Sequence, residues 1–144
     1  MWAQARGALL ATAWEALCRD SVAAAQPTGS ALSQCGPWLP AGRFWHGHGP
    51  EWDIVSQSTD GKRLLLAETK WSSKPVSNRD LKRAAGELRR KGVPPIKNAA
   101  SSDIVHGLFV PRLAGKTQAV DGVLVLDARH VVQAQGFAQT PGQP

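Results

Sequence analysis

One segment of this sequence contains two carboxylates and an ammonium group that could form a single site. Glu68 and Lys70 are two residues apart, and fourteen residues separate Asp53 from Glu68. In a β-strand alternate side chains share a face, so Glu68 and Lys70 are expected to point the same way. Two carboxylates placed side by side are costly unless a cation joins them. Oxygen ligands of this kind predict a Mg²⁺ site, in which Mn²⁺ can substitute.

The surrounding residues predict the hairpin that positions these groups. Residues 51–56 and 62–71 are each typical of a strand, and Asp60-Gly61 between them is a strong turn signal. The apolar run in the second strand predicts burial on both faces. A hairpin turning there brings Asp53 to within about one residue of lying opposite Glu68.

Such a site would favour phosphodiester chemistry. A bound Mg²⁺ would lower the pKa of a water and neutralise charge on a phosphate. Lys70 is the candidate to hold the attacking hydroxide and to stabilise the phosphorane. The alternative is a surface hairpin on which Glu68 and Lys70 form a solvated ion pair. A central strand disfavours that alternative, because such strands rarely carry charges without a purpose.

The rest of the pattern predicts an α/β fold. The further predicted elements are a helix over 2–25, a loop over 26–42, a strand from Trp38 to Trp45, a helix over 77–91 capped by Ser77, strands over 104–110 and 122–126, and a short helix after Asp127. This order predicts a mixed central sheet of four to five strands flanked by helices. We expect residues 1–136 to form a single domain and 137–144 a flexible tail.

Charge favours a polyanionic partner. The 144 residues carry a formal net charge of +6, which favours nucleic acid. Opposite its apolar stripe the 77–91 helix is predicted to present a cationic face. That face contains Arg79, Lys82, Arg83, Arg89, Arg90 and Lys91. These side chains are candidates for phosphate contacts, and an ordinary solvated helix face is the alternative.

The two cysteines, Cys18 and Cys35, form no CxxC pair, which excludes a zinc knuckle built on cysteine. Reduced thiols are typical of the cytoplasm, where we expect the protein to lie. The charged residues Glu15 and Arg19 interrupt the one segment that imitates a signal peptide. No apolar run approaches the ~20 residues that span a bilayer, so no membrane partner is expected.

The spacing from Asp53 to Glu68-Thr69-Lys70 resembles the signature of the PD-(D/E)XK nuclease superfamily, with Trp52 in the place of the proline. Glu15 resembles the glutamate that the first helix of that superfamily often carries to complete the metal site. The alternative for Glu15 is a helix ion pair with Arg19, four residues on.

A narrower resemblance rests on three segments in order: Arg43-Phe44-Trp45, the strand 51–55, and Glu68 to Trp71. Together they are similar to the C-terminal nuclease-like domain of archaeal-type AAA ATPases, over roughly residues 8–130. The resemblance implies a restriction-endonuclease-like core. It also implies that Asp53, Glu68 and Glu15 are metal ligands and that all three, with Lys70, are catalytic residues.

Three hypotheses follow for the function. The first is a Mg²⁺-dependent nuclease that hydrolyses phosphodiester bonds, with DNA as the substrate that the resemblance implies. The second is a catalytically silent module of the same fold, which binds nucleic acid or regulates a partner AAA ATPase. The third is a junction-resolving endonuclease acting as a homodimer.

Overall fold

The computed structural model describes residues 2–24 and 30–135, with only the backbone of residues 2–4. The predicted tail, 137–144, lies outside the described residues. The helices are α1 (Trp2–Ala24), α2 (Ala31–Gln34), α3 (Asn78–Arg90) and α4 (Ala128–Ala134), with a 3₁₀ turn at Ala99–Ser101. The strands are β1 (Gly42–Phe44), β2 (Trp52–Gln57), β3 (Arg63–Thr69), β4 (Asp103–Phe109), β5 (Ala119–Val120) and β6 (Val123–Leu126).

The strands form one mixed sheet with the order β1-β2-β3-β4-β6-β5. Its first half is an antiparallel meander, in which β1 pairs with β2 and β2 with β3. Its second half is parallel from β3 through β4 to β6, and β5 pairs antiparallel with β6. The predicted α/β class with a mixed sheet flanked by helices is confirmed. The predicted count of four to five strands is wrong, because the described residues form six. The strand β5 has two residues, which is too short to show the alternation from which strands are predicted.

Helix α3 covers one face of the sheet and is the crossover that joins the parallel strands β3 and β4. Ser77 caps it as predicted, since its side chain accepts a hydrogen bond from the main-chain N–H of Asp80. The apolar stripe of Leu81, Ala85 and Leu88 is buried against the sheet. This layer brings the C-terminal end of α3 close to the strand ends that carry the predicted site.

The opposite face of the sheet is covered by α1 and α4. Trp14, Cys18 and Val22 of α1 are buried, and they belong to one cluster with Leu65 and Phe109 of the sheet. None of the helices in the described ranges combines the length and apolar character that a bilayer crossing requires. The sheet is therefore enclosed between two helical layers, and its charged groups collect where the strands end.

The predicted loop over 26–42 is partly wrong, because residues 31–34 form the single helical turn α2. Ser30 caps this turn by accepting a hydrogen bond from the main-chain N–H of Ser33. A helix of four residues is too short to produce the periodicity from which helices are predicted.

The strand predicted from Trp38 to Trp45 is also wrong in its first half. Trp38 makes an isolated bridge with Ser58, and β1 begins only at Gly42. Prolines 37 and 40 flank Trp38 in the sequence. Because proline has no N–H to donate, a continuous ladder cannot form through this stretch.

Candidate functional site

The β2–β3 hairpin brings the two predicted carboxylates into opposing positions. Its ladder pairs Val55 with Leu66 and Ile54 with Ala67. The ladder ends at that pair, and Asp53 and Glu68 are the next residues along the two strands. We call this region the open end of the hairpin, defined by Asp53, Glu68 and the residues that contact them. Both carboxylates therefore lie at this end of the hairpin, and their direct opposition stays a prediction.

Asp53 closes the hairpin ladder with its side chain. Its Oδ2 accepts a hydrogen bond from the main-chain N–H of Thr69 at 2.9 Å. The hydroxyl of Thr69 lies 3.3 Å from the same oxygen. This leaves Oδ1 without a donor in the described part of the chain. Asp53 is thus fixed in position through one oxygen only.

Glu68 lies on a buried strand and is itself 8% exposed. Its Oε1 accepts a hydrogen bond from Lys91 Nζ, and the same Nζ donates to the main-chain oxygen of Glu51 at 2.5 Å. Burial lowers the pKa of Lys91, and the charges of Asp53 and Glu51 oppose that shift. An ion pair this close to the core therefore holds Glu68 through one of its two oxygens.

Glu15 is drawn into a different contact from the predicted one. It pairs with Arg19 at 2.5 Å, one helical turn along α1. Arg19 also donates to the main-chain oxygen of Asp53, at 3.3 and 3.4 Å. Burial raises the pKa of the neighbouring Cys18, and the charge of Glu15 adds to that effect. Glu15 is thereby linked to the start of β2 through Arg19, which is the helix ion pair that the sequence left as the alternative.

Lys70 follows β3 directly and is exposed. Its main-chain N–H donates to the carbonyl of Phe109 at 2.9 Å, which extends the parallel pairing with β4 by one residue. Among the described residues its ammonium has no hydrogen bond and no ion pair. The structure places Lys70 at the same end of β3 as Glu68, with its side chain in solvent.

The carboxylates fit Mg²⁺ as a two-residue set. No group of three or more His, Cys, Asp or Glu side chains in the described ranges is arranged to hold a metal ion. Glu15 is therefore not brought together with Asp53 and Glu68 into a three-carboxylate cluster. Mg²⁺ is commonly bound by one or two carboxylates together with waters and substrate phosphate. Asp53 and Glu68 each keep one oxygen with no donor among the described residues, which meets that requirement.

The basic residues of α3 divide into two groups. The five predicted nucleic-acid contacts are exposed: Arg79, Lys82, Arg83, Arg89 and Arg90. Of these, Arg83 lies 3.8 Å from Asp80, and Arg89 donates to the main-chain oxygen of Asp121 at 2.5 Å. The sequence predicted that Lys91 belongs to this exposed face as well. That prediction is wrong, because Lys91 turns inward to Glu68.

Lys91 is the contact that sequence reasoning missed, although a signal was present. It lies three residues after Leu88, so it continues the apolar stripe toward the sheet. Its stem can pack along apolar surface while its ammonium reaches a charged partner.

One comparison with known proteins assigns the chain to a family. A family model described as archaea bacterial proteins of unknown function, DUF234, matches residues 4–84. The chain belongs to this family. The match spans more than half of the 144 residues and includes α1, the hairpin and the open end, and it stops within α3 before Lys91. No curated protein and no solved structure matches the chain.

Proposed function

We propose that this domain is a Mg²⁺-dependent nuclease with a restriction-endonuclease-like core, which hydrolyses phosphodiester bonds in DNA. The observation that carries the proposal is the location of Asp53 and Glu68 at the same end of adjacent strands, directly beyond the last pair of their ladder. Each carboxylate is oriented by a protein donor through one oxygen and keeps the other for a ligand. The DUF234 match supplies no function, so the proposal rests on this geometry and on the motif resemblance.

The location of the pair supports a ligand site. Glu68 lies at the C-terminal end of β3, beside the C-terminal end of the parallel strand β4. In open α/β sheets, ligands bind in the crevice outside the carboxyl ends of the strands. The net charge of +6 and the exposed cations of α3 favour a polyanion there. A phosphodiester is the ligand that would use both the carboxylates and the surrounding positive charge.

The roles of the residues follow from their contacts. Asp53 and Glu68 would hold Mg²⁺, and the hydrogen bond from Thr69 fixes the carboxylate of Asp53. When bound, Mg²⁺ supplies positive charge to the phosphate and lowers the pKa of a water. Lys70 has an exposed side chain with no polar contact among the described residues, so its role rests on the motif resemblance. It would turn toward the carboxylates, orient the attacking water and stabilise the charge on the phosphate oxygens. Glu15 would act indirectly, because it pairs with Arg19, which donates a hydrogen bond to the main-chain oxygen of Asp53.

The reaction balances without another reactant. The oxygen of one water forms a bond to phosphorus, and one phosphorus–oxygen ester bond breaks. The departing oxygen takes up a proton, and the attacking water releases one to solvent. The exposed cations of α3 would bind the flanking phosphates and contribute affinity that falls with added salt.

A catalytically silent module of the same fold is the second candidate, and one observation favours it. Glu68 and Glu15 are each already paired with a cation of this chain, Lys91 and Arg19 respectively. Internal cations of this kind satisfy carboxylates without a metal ion. Such a module would bind nucleic acid or regulate a partner AAA ATPase without cleaving anything.

Plasmid cleavage with matched variants separates the two candidates. Supercoiled plasmid is incubated with Mg²⁺ or Mn²⁺ and wild type, Asp53→Asn or the control Asp60→Asn. Asp60 lies at the other end of the same hairpin, so its variant keeps the site intact. We expect wild type and Asp60→Asn to cleave and Asp53→Asn to be inactive. Equal cleavage by all three would place the activity elsewhere, and DNA binding without cleavage would favour the silent module.

A further inference from the structure

Lys91 has more hydrogen-bonding capacity than its contacts use. A lysine ammonium carries three N–H donors. Two of them are directed to the carboxylate of Glu68 and to the main-chain oxygen of Glu51. The third has no acceptor among the described residues. The side chain of Lys91 is 28% exposed, so part of it is open to solvent.

Lys91 differs from the other basic residues near this site. Lys70 is exposed, and no described residue makes a polar contact that orients its side chain. Lys91 is held by two acceptors, which come from the start of β2 and the end of β3. A group that is already oriented loses little side-chain freedom when it binds a ligand. Among the described lysines, Lys91 is the one whose ammonium contacts a proposed metal ligand.

Stability alone is a weak account of this ion pair. A partly buried Lys–Glu pair often contributes no more to stability than apolar side chains of similar size would. The neighbouring stripe of α3 and the face of β3 are apolar, and Leu88 and Leu66 belong to the same buried cluster. A leucine or methionine at position 91 would suit that environment. The lysine therefore indicates a role at the carboxylates.

We propose that Lys91 is a second catalytic ammonium of the site, which donates its third N–H to the phosphate that undergoes hydrolysis. This inference rests on the proposed function for its substrate. Lys91 forms and breaks no covalent bond in the reaction. It stabilises negative charge on a non-bridging phosphate oxygen while the water attacks and the ester bond breaks. The ammonium reaches the site from the crossover helix α3, in addition to Lys70 on the strand.

The first test measures DNA binding without cleavage. Wild type, Lys91→Gln, Lys91→Met and the control Lys62→Met are titrated into a fluorescein-labelled duplex oligonucleotide in Ca²⁺ at several salt concentrations. Lys62 is an exposed lysine at the other end of the hairpin. One lost phosphate contact should reduce the slope of log K against log salt by about 0.9. We expect this reduction in both Lys91 variants and not in Lys62→Met.

The second test measures cleavage and metal binding in the same proteins. We expect both Lys91 variants to cleave plasmid about 100-fold more slowly than wild type or slower. Lys91→Arg should recover part of that loss, because it keeps the charge. Affinity for Mn²⁺, measured by electron paramagnetic resonance, should stay within about 3-fold of wild type, because Lys91 is a phosphate contact and not a metal ligand. Melting curves show which of the two neutral variants is folded, and that variant is used.

The outcomes separate the role of Lys91 from the proposed function. A folded Lys91 variant with the wild-type salt slope overturns the inference. So does a variant that binds Mn²⁺ more tightly and cleaves as fast as wild type, because Lys91 would then be only a counter-ion. Wild type that binds but does not cleave overturns the nuclease proposal, while the salt slope still tests the phosphate contact. Wild type that does not bind the duplex overturns both.

Discussion

The two ends of the β2–β3 hairpin are both polar, yet they use their polar groups differently. The turn end, Ser58 to Arg63, directs its side chains to main chain and to each other. Ser58 Oγ donates to Asp60 Oδ1 at 2.6 Å and accepts from the main-chain N–H of Arg63 at 3.0 Å. Asp60 Oδ1 also accepts from the main-chain N–H of Lys62 at 3.0 Å. These bonds lower the pKa of Asp60 and fix the geometry of the turn.

At the open end, two carboxylates from adjacent strands lie at the same end of the hairpin, and each engages one oxygen among the described residues. Asp53 contributes one oxygen to Thr69, and Glu68 contributes one to Lys91. Two carboxylates at one end of a hairpin can bind a cation together, whereas the turn end has a single carboxylate, Asp60, whose Oδ1 accepts both of its hydrogen bonds. Two polar ends of one hairpin can thus serve separate purposes: the turn end fixes the structure, and the open end is the proposed ligand site.

The largest expected effect is loss of cleavage on neutralising the open end. Asp53→Asn keeps an oxygen to accept from Thr69 but loses its charge, and Glu68→Gln does the same opposite it. Each should slow plasmid cleavage by about 100-fold or more. The double variant should be no slower than the slower single variant, since the two groups act as one unit. Rates that fell by the product of the two effects would show that the carboxylates act independently.

The next effect is on stability and comes from the turn end. Ser58 is buried, and Ser58→Ala leaves the main-chain N–H of Arg63 without its acceptor. We expect the free energy of unfolding to fall by about 1–3 kcal/mol, measured by urea denaturation. Cleavage by the protein that remains folded should be unchanged. A stable Ser58→Ala protein with impaired cleavage would contradict the separation of the two ends.

A smaller effect is the loss of folding stability at acid pH, which we expect to arise outside both ends of the hairpin. The hairpin, 51–71, contains no histidine. Burial lowers the pKa of His106 on β4 and of His130 on α4, with Arg89 adding to the first shift and Asp127 opposing the second. The folded state therefore favours the neutral imidazoles. Their contribution to stability is present above the usual pKa of about 6.5 and is lost as pH falls through the lowered values.

Urea denaturation at about pH 7.5 and about pH 5.5 measures this acid effect. Wild type should be less stable at the lower pH. His106→Gln with His130→Gln should reduce the difference, since neither amide takes up a proton in this range. An unchanged difference in the double variant would assign the acid sensitivity to carboxylates, including those of the hairpin.

The smallest effect is expected at the link between α1 and the open end. Glu15→Gln removes the ion pair with Arg19, whose side chain and that of Glu15 are each about a quarter exposed. A pair of this kind contributes roughly 0.3–1 kcal/mol to the free energy of unfolding. Cleavage should fall only a few-fold, because Arg19 can still donate to Asp53. A loss as large as that of Asp53→Asn would restore Glu15 as a metal ligand.

The hairpin and α3 could be predicted from sequence because their signals are local. Asp60-Gly61 determines the turn, and the turn determines which residue of β3 meets Asp53. Ser77 and the stripe from Leu81 to Leu88 define where α3 begins and which side it buries. The location of both carboxylates at the open end follows from the hairpin itself and needs no knowledge of the rest of the fold.

The contacts made by other elements could not be predicted in the same way. Whether Lys91 reaches Glu68 depends on where the end of α3 comes to rest over β3, which is decided by the packing of the whole layer. Arg19 meets Asp53 only because α1 crosses the opposite face of the sheet. The edge strand β5 has two residues, and its pairing with β6 is visible only once the sheet is assembled.

The register of the hairpin also limits how the length of this chain can vary. One residue inserted in β3 before Glu68 would turn that side chain to the other face of the sheet, toward α1 and away from Lys91. Between Gly92 and Asn98, by contrast, an extra residue would enlarge a connecting segment outside the strands. Among related chains, insertions and deletions should therefore accumulate after α3 and be selected against between Asp53 and Glu68. The spacing of fourteen residues is then an inherited length constraint as well as a motif.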